Sequence, residues 1–437
     1  MKIELNEELL ELNKQFKKLG VKLYVVGGYV RDFLLGKVST DIDICSSMTP
    51  QEIVEKIKGF DLNVFNKKLG STHISKNGRM FEHTTFRVDY YHDDGSHSPY
   101  EVEFSDSAYV DSYRRDFSMN CIYYDIQEDE IVDFYNGVAD IKNRQVKAIV
   151  SPDYVFGSDG TRLLRMVRQA CELDFDIENE TFETAKSYIY QLKDISAKRI
   201  YDELIRILQN ENFYTGLNNL SKLKAFEYIF KNIDLLPIKE KINKLLTKNK
   251  FYFLTKDTPT ELRIKLLLVD IINICYKNCY DDQATLEGFC DYIMMSENFG
   301  ISNKLKNEIT DLVLFLDEYK NIQEDNEKKA LILDNINCLD TVLFISQKKE
   351  EYMDILDLYN RLTKKNIALK LSKFCIKSDD VIKLGLKGKH ISEALNDIFL
   401  YSVIYEISEK EILIKVLERL IKEGKYEWNN DSTISFG

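Results

Sequence analysis

The chain has 437 residues, a formal net charge of −12, 44% hydrophobic residues and 30% charged ones. That length exceeds one ordinary core and calls for roughly two to four domains. The negative charge argues against a general nucleic-acid coat but leaves room for a local patch that grips one RNA.

No apolar run reaches about 18 residues, so no membrane span is expected. The opening MKIELNEELLEL is acidic and amphipathic, with no signal-peptide core. A cytoplasmic setting is therefore expected.

In chain order, Leu9, Leu12, Phe16 and Leu19 fall at helical spacing, which predicts a helix over Asn6–Leu19 ended by Gly20. Leu23–Val26 then reads as an apolar strand, Gly27-Gly28 as a turn, and the next residues as a short helix carrying Arg31 and Asp32. A second strand follows with Asp41 and Asp43 two residues apart, so both carboxylates share one face. Two such acids repel unless a cation lies between them, and Mg²⁺ is held by one or two carboxylates plus substrate phosphates. A glycine pair before a helix lets phosphates approach backbone N–H groups. Metal and nucleotide are the implied ligands.

Thr49-Pro-Gln-Glu52 has capping-box spacing and starts a helix to about Lys58. Strands are expected at Leu62–Phe65, Thr72–Ser75, Arg79–Arg87, Glu101–Phe104 and Cys121–Tyr124, with a polar loop at His92–Pro99. Beyond Val150 the pattern turns helical, with helices over Thr161–Leu173, Glu180–Gln191, Ala197–Gln209 and Thr215–Phe226. Lys239–Lys250 holds five lysines against one glutamate and reads either as a solvated helix face or as an RNA contact.

Cys275 and Cys279 would share a helix face, but no second Cys or His pair accompanies them, so buried free thiols are expected rather than zinc. Only His390 lies beyond residue 97, so a C-terminal His-Asp phosphohydrolase is not expected.

Three further motifs follow: Arg114-Arg-Asp-Phe-Ser-Met-Asn120, Asp159-Gly-Thr-Arg-Leu-Leu-Arg-Met-Val-Arg168 and Ile195-Ser-Ala-Lys-Arg-Ile-Tyr-Asp-Glu-Leu204. With Gly27-Gly28-x-x-Arg31-Asp32 and Asp41-x-Asp43, this ordered set resembles the class II tRNA nucleotidyltransferases, which include CCA-adding enzymes and bacterial poly(A) polymerases. The resemblance spans residues 20 to about 210. It implies an α+β fold: a polymerase-beta-like head of mixed sheet and helices, then an all-α neck, body and tail. The expected boundaries are 1–150 for the catalytic head, 151–215 for the neck that recognises the base, and 216–437 for the tRNA-binding body and tail.

The same resemblance implies the chemistry. Asp41 and Asp43 would hold two Mg²⁺ ions for in-line displacement at the α-phosphate, with CTP and ATP as substrates. Gly28, Arg31 and Arg115 match nucleotide contacts, and Asp116 and Asn120 would order the site around the sugar. Asp159 and Arg162 would read the incoming base, since adenine and cytosine both present an amine donor beside a ring-nitrogen acceptor. Arg165 and Arg168 match phosphate and ribose contacts, although a spacing of three drifts by about 60° per step. The partner would be tRNA, lying by its acceptor stem and T-arm along the helical arm. Oligomeric state stays open.

Several positions depart from the family pattern. Ser158 and Gly160 stand where the family commonly has Glu and an apolar residue or proline; Ser158 is a candidate N-cap. Ser118 stands for threonine and Cys121 for alanine, and Glu82 is a candidate third acid. Full CCA addition is the expected activity. Partial (CC- or A-only) addition and poly(A) addition are the alternatives. Asp94-Gly-Ser-His-Ser-Pro99 and Phe65–His73 look nearer to the CCA-adding pattern.

Overall fold

The computed structural model describes residues 3–91, 99–230, 251–277, 286–294, 301–321 and 338–426. Residues 92–98 of the predicted His92–Pro99 loop, the lysine-rich stretch 239–250 and Cys279 lie outside them. Helix α1 (Glu7–Lys18) begins where Asn6 accepts the Leu9 amide, and it buries Leu9, Leu12 and Phe16. Leu19, expected on that apolar face, is instead the C-cap residue and is exposed.

Strand β1 (Tyr24–Val26) leads through Gly27 into α2 (Gly28–Leu34), and the chain returns as β2 (Ile42–Ser46). Helix α3 (Pro50–Lys56) starts with the capping box expected at Thr49 and Glu52, both reciprocal bonds being present. It carries the chain across to β3 (Asp61–Asn66), β4 (Ser71–Lys76) and β5 (Arg79–Thr85), and β5 runs parallel to β2.

The strand expected over Arg79–Arg87 breaks at Phe86, whose amide donates to Ser46 O and whose carbonyl accepts from the Ser105 amide. Beyond that switch β6 (Arg87–Tyr90) pairs with β7 (Glu101–Phe104) as a separate two-stranded ladder. Helix α4 (Ala108–Ser112) and a 3₁₀ turn at Ser118–Asn120 precede β8 (Ile122–Asp125).

A strand not expected from the sequence, β9 (Glu130–Asp133), hairpins onto β8. Asp125 shapes the turn by accepting the Gln127 and Glu128 amides. The resulting seven-stranded mixed sheet has the order β3-β4-β5-β2-β1-β8-β9. Its central strands bury Val25, Val26, Ile44 and Cys45 completely or nearly so. Burial on both faces fixes their register, because a one-residue slip would turn every side chain over.

Helix α5 (Gly137–Lys142) and β10 (Gln145–Val146) close the head. Helices α6 (Pro152–Ser158) and α7 (Thr161–Leu173) follow, and then a two-residue strand, β11 (Asp176–Ile177), interrupts the helical run by pairing parallel with β10. Helices α8 (Asn179–Tyr188), α9 (Ala197–Gln209), α10 (Phe213–Lys222) and α11 (Phe226–Ile229) complete this region. Helix α7 packs on α9 and α10, and Leu163, Leu164, Val167 and Cys171 of α7, Leu204 of α9, and Leu217 and Leu220 of α10 are all buried.

The described residues up to Ile264 form one compact unit. Those of Lys265–Tyr276 and from Ser302 onward belong to a second, which is helical, with helices such as Asn303–Asn321, Met353–Lys364 and Lys389–Ile404. Among the described residues no helix is long and apolar enough to cross a membrane.

Candidate active site

The turn after β1, the start of β2 and one side of α7 line a single cleft of about 530 Å³. Gly27 makes the turn with φ +80°, a conformation that side chains with a Cβ rarely adopt. A Cβ there would also stand 3.5 Å from Asp43 Oδ2. The requirement for glycine thus falls on Gly27, while Gly28, the expected nucleotide contact, opens α2 and leaves space beside the Arg31 guanidinium.

Asp43 sits at the centre of the sheet, opposite Val26 of β1 and Glu82 of β5. Asp41 lies one residue ahead of β2 and is exposed, yet both carboxylates belong to the cleft lining. Burial, reinforced by the charges of Asp41 and Glu82, pushes the Asp43 carboxyl up to about 6 despite Arg115. A divalent cation between Asp41 and Asp43 would remove that repulsion, so the donor set fits a hard, oxygen-seeking ion.

Among the described residues no group of three or more His, Cys, Asp or Glu comes close enough to hold a metal. Two carboxylates completed by phosphate oxygens is the usual way of holding Mg²⁺. Glu82, the candidate third acid, flanks Asp43 across the ladder but lies outside the cleft lining.

The arginines are anchored by acids: Asp32 and Asp116 stand in the motifs read from the sequence, whereas Asp111 and Glu172 were not singled out there. Arg31 donates from Nε and Nη2 to Asp32 Oδ1 and from Nη1 to Asn120 Oδ1, at 2.7–2.9 Å. Arg115 donates to the Tyr123 hydroxyl at 2.8 Å and to Asp111 Oδ2 at 2.9 Å; Arg114 takes Asp111 Oδ1 at 2.7 Å. Asp111 is fully buried, which alone would raise its pKa, but the two guanidiniums outweigh burial and hold it at about 2. Asp116 is likewise buried and held at about 2, chiefly by Arg165, which donates Nε and Nη2 to Asp116 Oδ2 at 3.0 and 2.6 Å.

All three α7 arginines reach the cleft lining, with different partners. Arg168 is clasped by Glu203 of α9 at 2.6 Å and by Glu172 at 2.8 Å. Arg162 donates Nη1 to Val155 O and Ser158 Oγ and Nη2 to Arg114 O. Three of its five N–H donors are thus engaged, all by neutral acceptors. Asp159 does not pair with Arg162 among the described residues; its Oδ1 accepts the Thr161 amide at 2.8 Å and the Thr161 hydroxyl at 2.7 Å.

The expectation for Ser158 is corrected: it closes α6 rather than capping α7, and its hydroxyl orients Arg162. Gly160 has a packing reason, because a Cβ there would stand 3.1 Å from Gln191 Cβ and 3.3 Å from Ile195 Cδ1.

Sequence reasoning missed Arg87, Asp89, Tyr91 and Gln169, all of which line the cleft. Arg87 and Asp89 alternate on β6 and pair at 2.7 Å. Their Arg-x-Asp spacing on a strand was a usable signal. Tyr91 is pushed up to about 12 by burial and by Asp89. The lining holds seven arginines and six carboxylates, so a nucleoside triphosphate would bring more negative charge than the surplus of one can balance.

Residues 23–147 match the family described as the poly A polymerase head domain, and 174–236 the probable RNA and SrmB-binding site of polymerase A. The CCA-adding enzyme of Staphylococcus aureus strain MRSA252 is 35% identical over 234 residues, 53% of this chain and 58% of that relative. The chain thus matches little more than half the length of that curated relative.

Among solved structures, the Bacillus stearothermophilus CCA-adding enzyme in complex with CTP aligns with TM-score 0.69 at 24% identity, covering 96% of this chain and 98% of that one. The Thermotoga maritima CCA-adding enzyme complexed with tRNA-CCA aligns with TM-score 0.66 at 20% identity, covering 95% and 96%. At those identities the likeness is one of fold, and it extends over nearly the whole chain.

Proposed function

We propose that this chain, whose residues 23–147 match the poly A polymerase head-domain family and which is similar to bacterial CCA-adding enzymes, adds C, C and A to the 3′ end of tRNA. The substrates would be CTP and ATP, with pyrophosphate released. The observation that carries the reading is one cleft lined together by Asp41 and Asp43, by Arg31 and Arg115, and by Asp159 and Arg162 of the neck.

Asp41 and Asp43 would hold Mg²⁺, the two-metal set of this reaction class. When bound, it would lower the pKa of the RNA 3′-hydroxyl and balance charge on the phosphates. The protein's own work is positioning. Arg31, stiffened by Asp32 and Asn120, offers its guanidinium to the triphosphate beside Gly28. Arg115 and Arg165, each locked to a buried carboxylate, cannot swing away and present fixed positive charge in the cleft. Such preorganised charge is worth more than mobile charge, because no reorganisation is needed as the transition state forms.

Base choice falls to α7. Asp159 holds Thr161 through Oδ1 alone, and its Oδ2 would accept the exocyclic amine of cytosine or adenine; Arg162 has two N–H donors left for the ring nitrogen. Guanine and uracil present the reverse pattern there and leave both groups unpaired, a penalty of about 1–3 kcal/mol per buried group. Arg168, clasped through Nε by Glu203 and through Nη1 by Glu172, would chiefly stiffen α7 and offer a ligand only its Nη2 donors.

In this reading residues 1–150 are the catalytic head, 151–215 the neck and 216–437 the body and tail that hold tRNA by shape and backbone. The setting is cytoplasmic, in keeping with free cysteines at 45, 121, 171, 275, 290, 338 and 375. Labelled CTP and ATP offered with tRNA ending at the discriminator base test the proposal. Incorporation should stop after three nucleotides; a long A tail would mark a poly(A) polymerase, and a stop after two C residues or a requirement for tRNA already ending in CC would mark partial addition.

A further inference from the structure

We propose that Gln169, on the cleft side of α7, is a positioning residue that sets the Asn120 amide and through it the triphosphate-facing guanidinium of Arg31. Gln169 is 4% exposed, and its Oε1 accepts from Asn120 Nδ2 at 2.7 Å. The same Nδ2 donates to Asp116 Oδ1 at 3.2 Å, and Asn120 Oδ1 accepts Arg31 Nη1 at 2.8 Å. This arrangement admits one amide orientation. A guanidinium has no acceptor and an ionised carboxylate no donor, so turning the Asn120 amide over would set N–H against N–H at Arg31 and oxygen against oxygen at Asp116.

Asp116 alone is a weak guide for that amide, because its Oδ1 also accepts the Phe117 amide and its Oδ2 is taken by Arg165. Gln169 supplies the short, near-dedicated acceptor. It also ties the head's catalytic floor to the helix that carries Asp159 and Arg162, so that phosphate anchorage and base reading share one rigid part. The inference rests on the nucleotide-binding reading of the cleft.

The test compares wild type with Gln169→Leu and the near-isosteric Gln169→Met, measuring CTP and ATP binding by calorimetry and inhibition of incorporation by pyrophosphate. Loss of one well-formed buried hydrogen bond predicts that Kd and KM for CTP and ATP rise alike by about five- to tenfold, and that pyrophosphate inhibition weakens by the same factor. The kcat should stay within about twofold, since the reacting groups are untouched.

In an Arg31→Ala background, Gln169→Met should bring no further loss, whereas a merely structural role predicts additive losses. Unequal effects on CTP and ATP, unchanged binding in both variants, or additivity with Arg31→Ala would each overturn the proposal. Absence of nucleotide binding by the wild type would instead sink the reading of the cleft itself.

Discussion

Replacing Asp43 by asparagine should make the metal-free protein more stable while destroying its reaction. The Asp43 carboxyl titrates near 6 rather than at its ordinary 3.8. At about 1.36 kcal/mol per tenfold in proton affinity, keeping it ionised in the folded chain costs about 3 kcal/mol at neutral pH. Because the site opens on solvent, screening brings the expected gain from Asp43→Asn to about 2 kcal/mol. For a unit of this size that is a rise of roughly 4–8 °C in Tm.

The sign follows from the raised folded value: the group's contribution is fully present below 3.8 and is lost as pH rises through 6. The advantage of the asparagine variant should therefore be largest at pH 7.5, fall to roughly half at pH 5 and nearly vanish at pH 4. Scanning calorimetry of both proteins in EDTA at those pH values is the assay. Added Mg²⁺ should raise the wild-type Tm and leave the variant nearly unmoved. A lower Tm for Asp43→Asn at pH 7.5, or a gain independent of pH, would refute the claim that burial, with the charges of Asp41 and Glu82, disfavours the ionised Asp43 carboxylate in the metal-free protein.

Other perturbations follow from the same geometry. Asp41→Ala should abolish nucleotide incorporation while tRNA binding, measured by gel shift, persists; joint loss of both would make the acids structural. Arg165→Ala strands the buried Asp116 carboxylate, but Arg165 itself is 39% exposed, so the protein should be destabilised by about 1–3 kcal/mol in urea titration. Arg165→Lys keeps the charge but not the forked contact and should recover only part of that loss. Ser158→Ala removes one acceptor from the buried Arg162 and should lower discrimination against GTP and UTP more than it lowers CTP turnover, read as a ratio of kcat/KM values.

What the sequence disclosed was whatever short-range rules govern. The Thr49–Glu52 capping box, the α7 and α9 boundaries at Thr161–Leu173 and Ala197–Gln209, and the pairing of a glycine turn with Asp41-x-Asp43 all depend on residues a few positions apart. The errors arose where distant segments compete. Arg79–Arg87 is uniformly strand-like, yet it divides at Phe86 because Ser46 and Ser105 claim that backbone from two sides.

Ser158 is a good N-cap residue by type, but the Arg162 guanidinium reaches its hydroxyl first. Gly160 looked like a weakness in the α7 start and is a close approach to Gln191 and Ile195. The acids that hold the arginines lie at very different separations: Asp111 and Asp116 near their partners or 49 residues away, and Glu203 35 residues from Arg168. Helical spacing accounts for Asp111 with Arg114 and Arg115, but no periodicity encodes Asp116 with Arg165 or Glu203 with Arg168; only the fold brings those together.

The central claim is that Asp41 and Asp43 drive transfer while Asp159 and Arg162 choose the nucleotide. Supplying each of the four labelled nucleoside triphosphates, singly and together, with Mg²⁺ and a tRNA lacking its three terminal nucleotides tests it most directly. The account predicts C, C and then A, with synthesis ending there and with GTP and UTP left unused. Unlimited A addition, or comparable use of GTP and UTP, would contradict it.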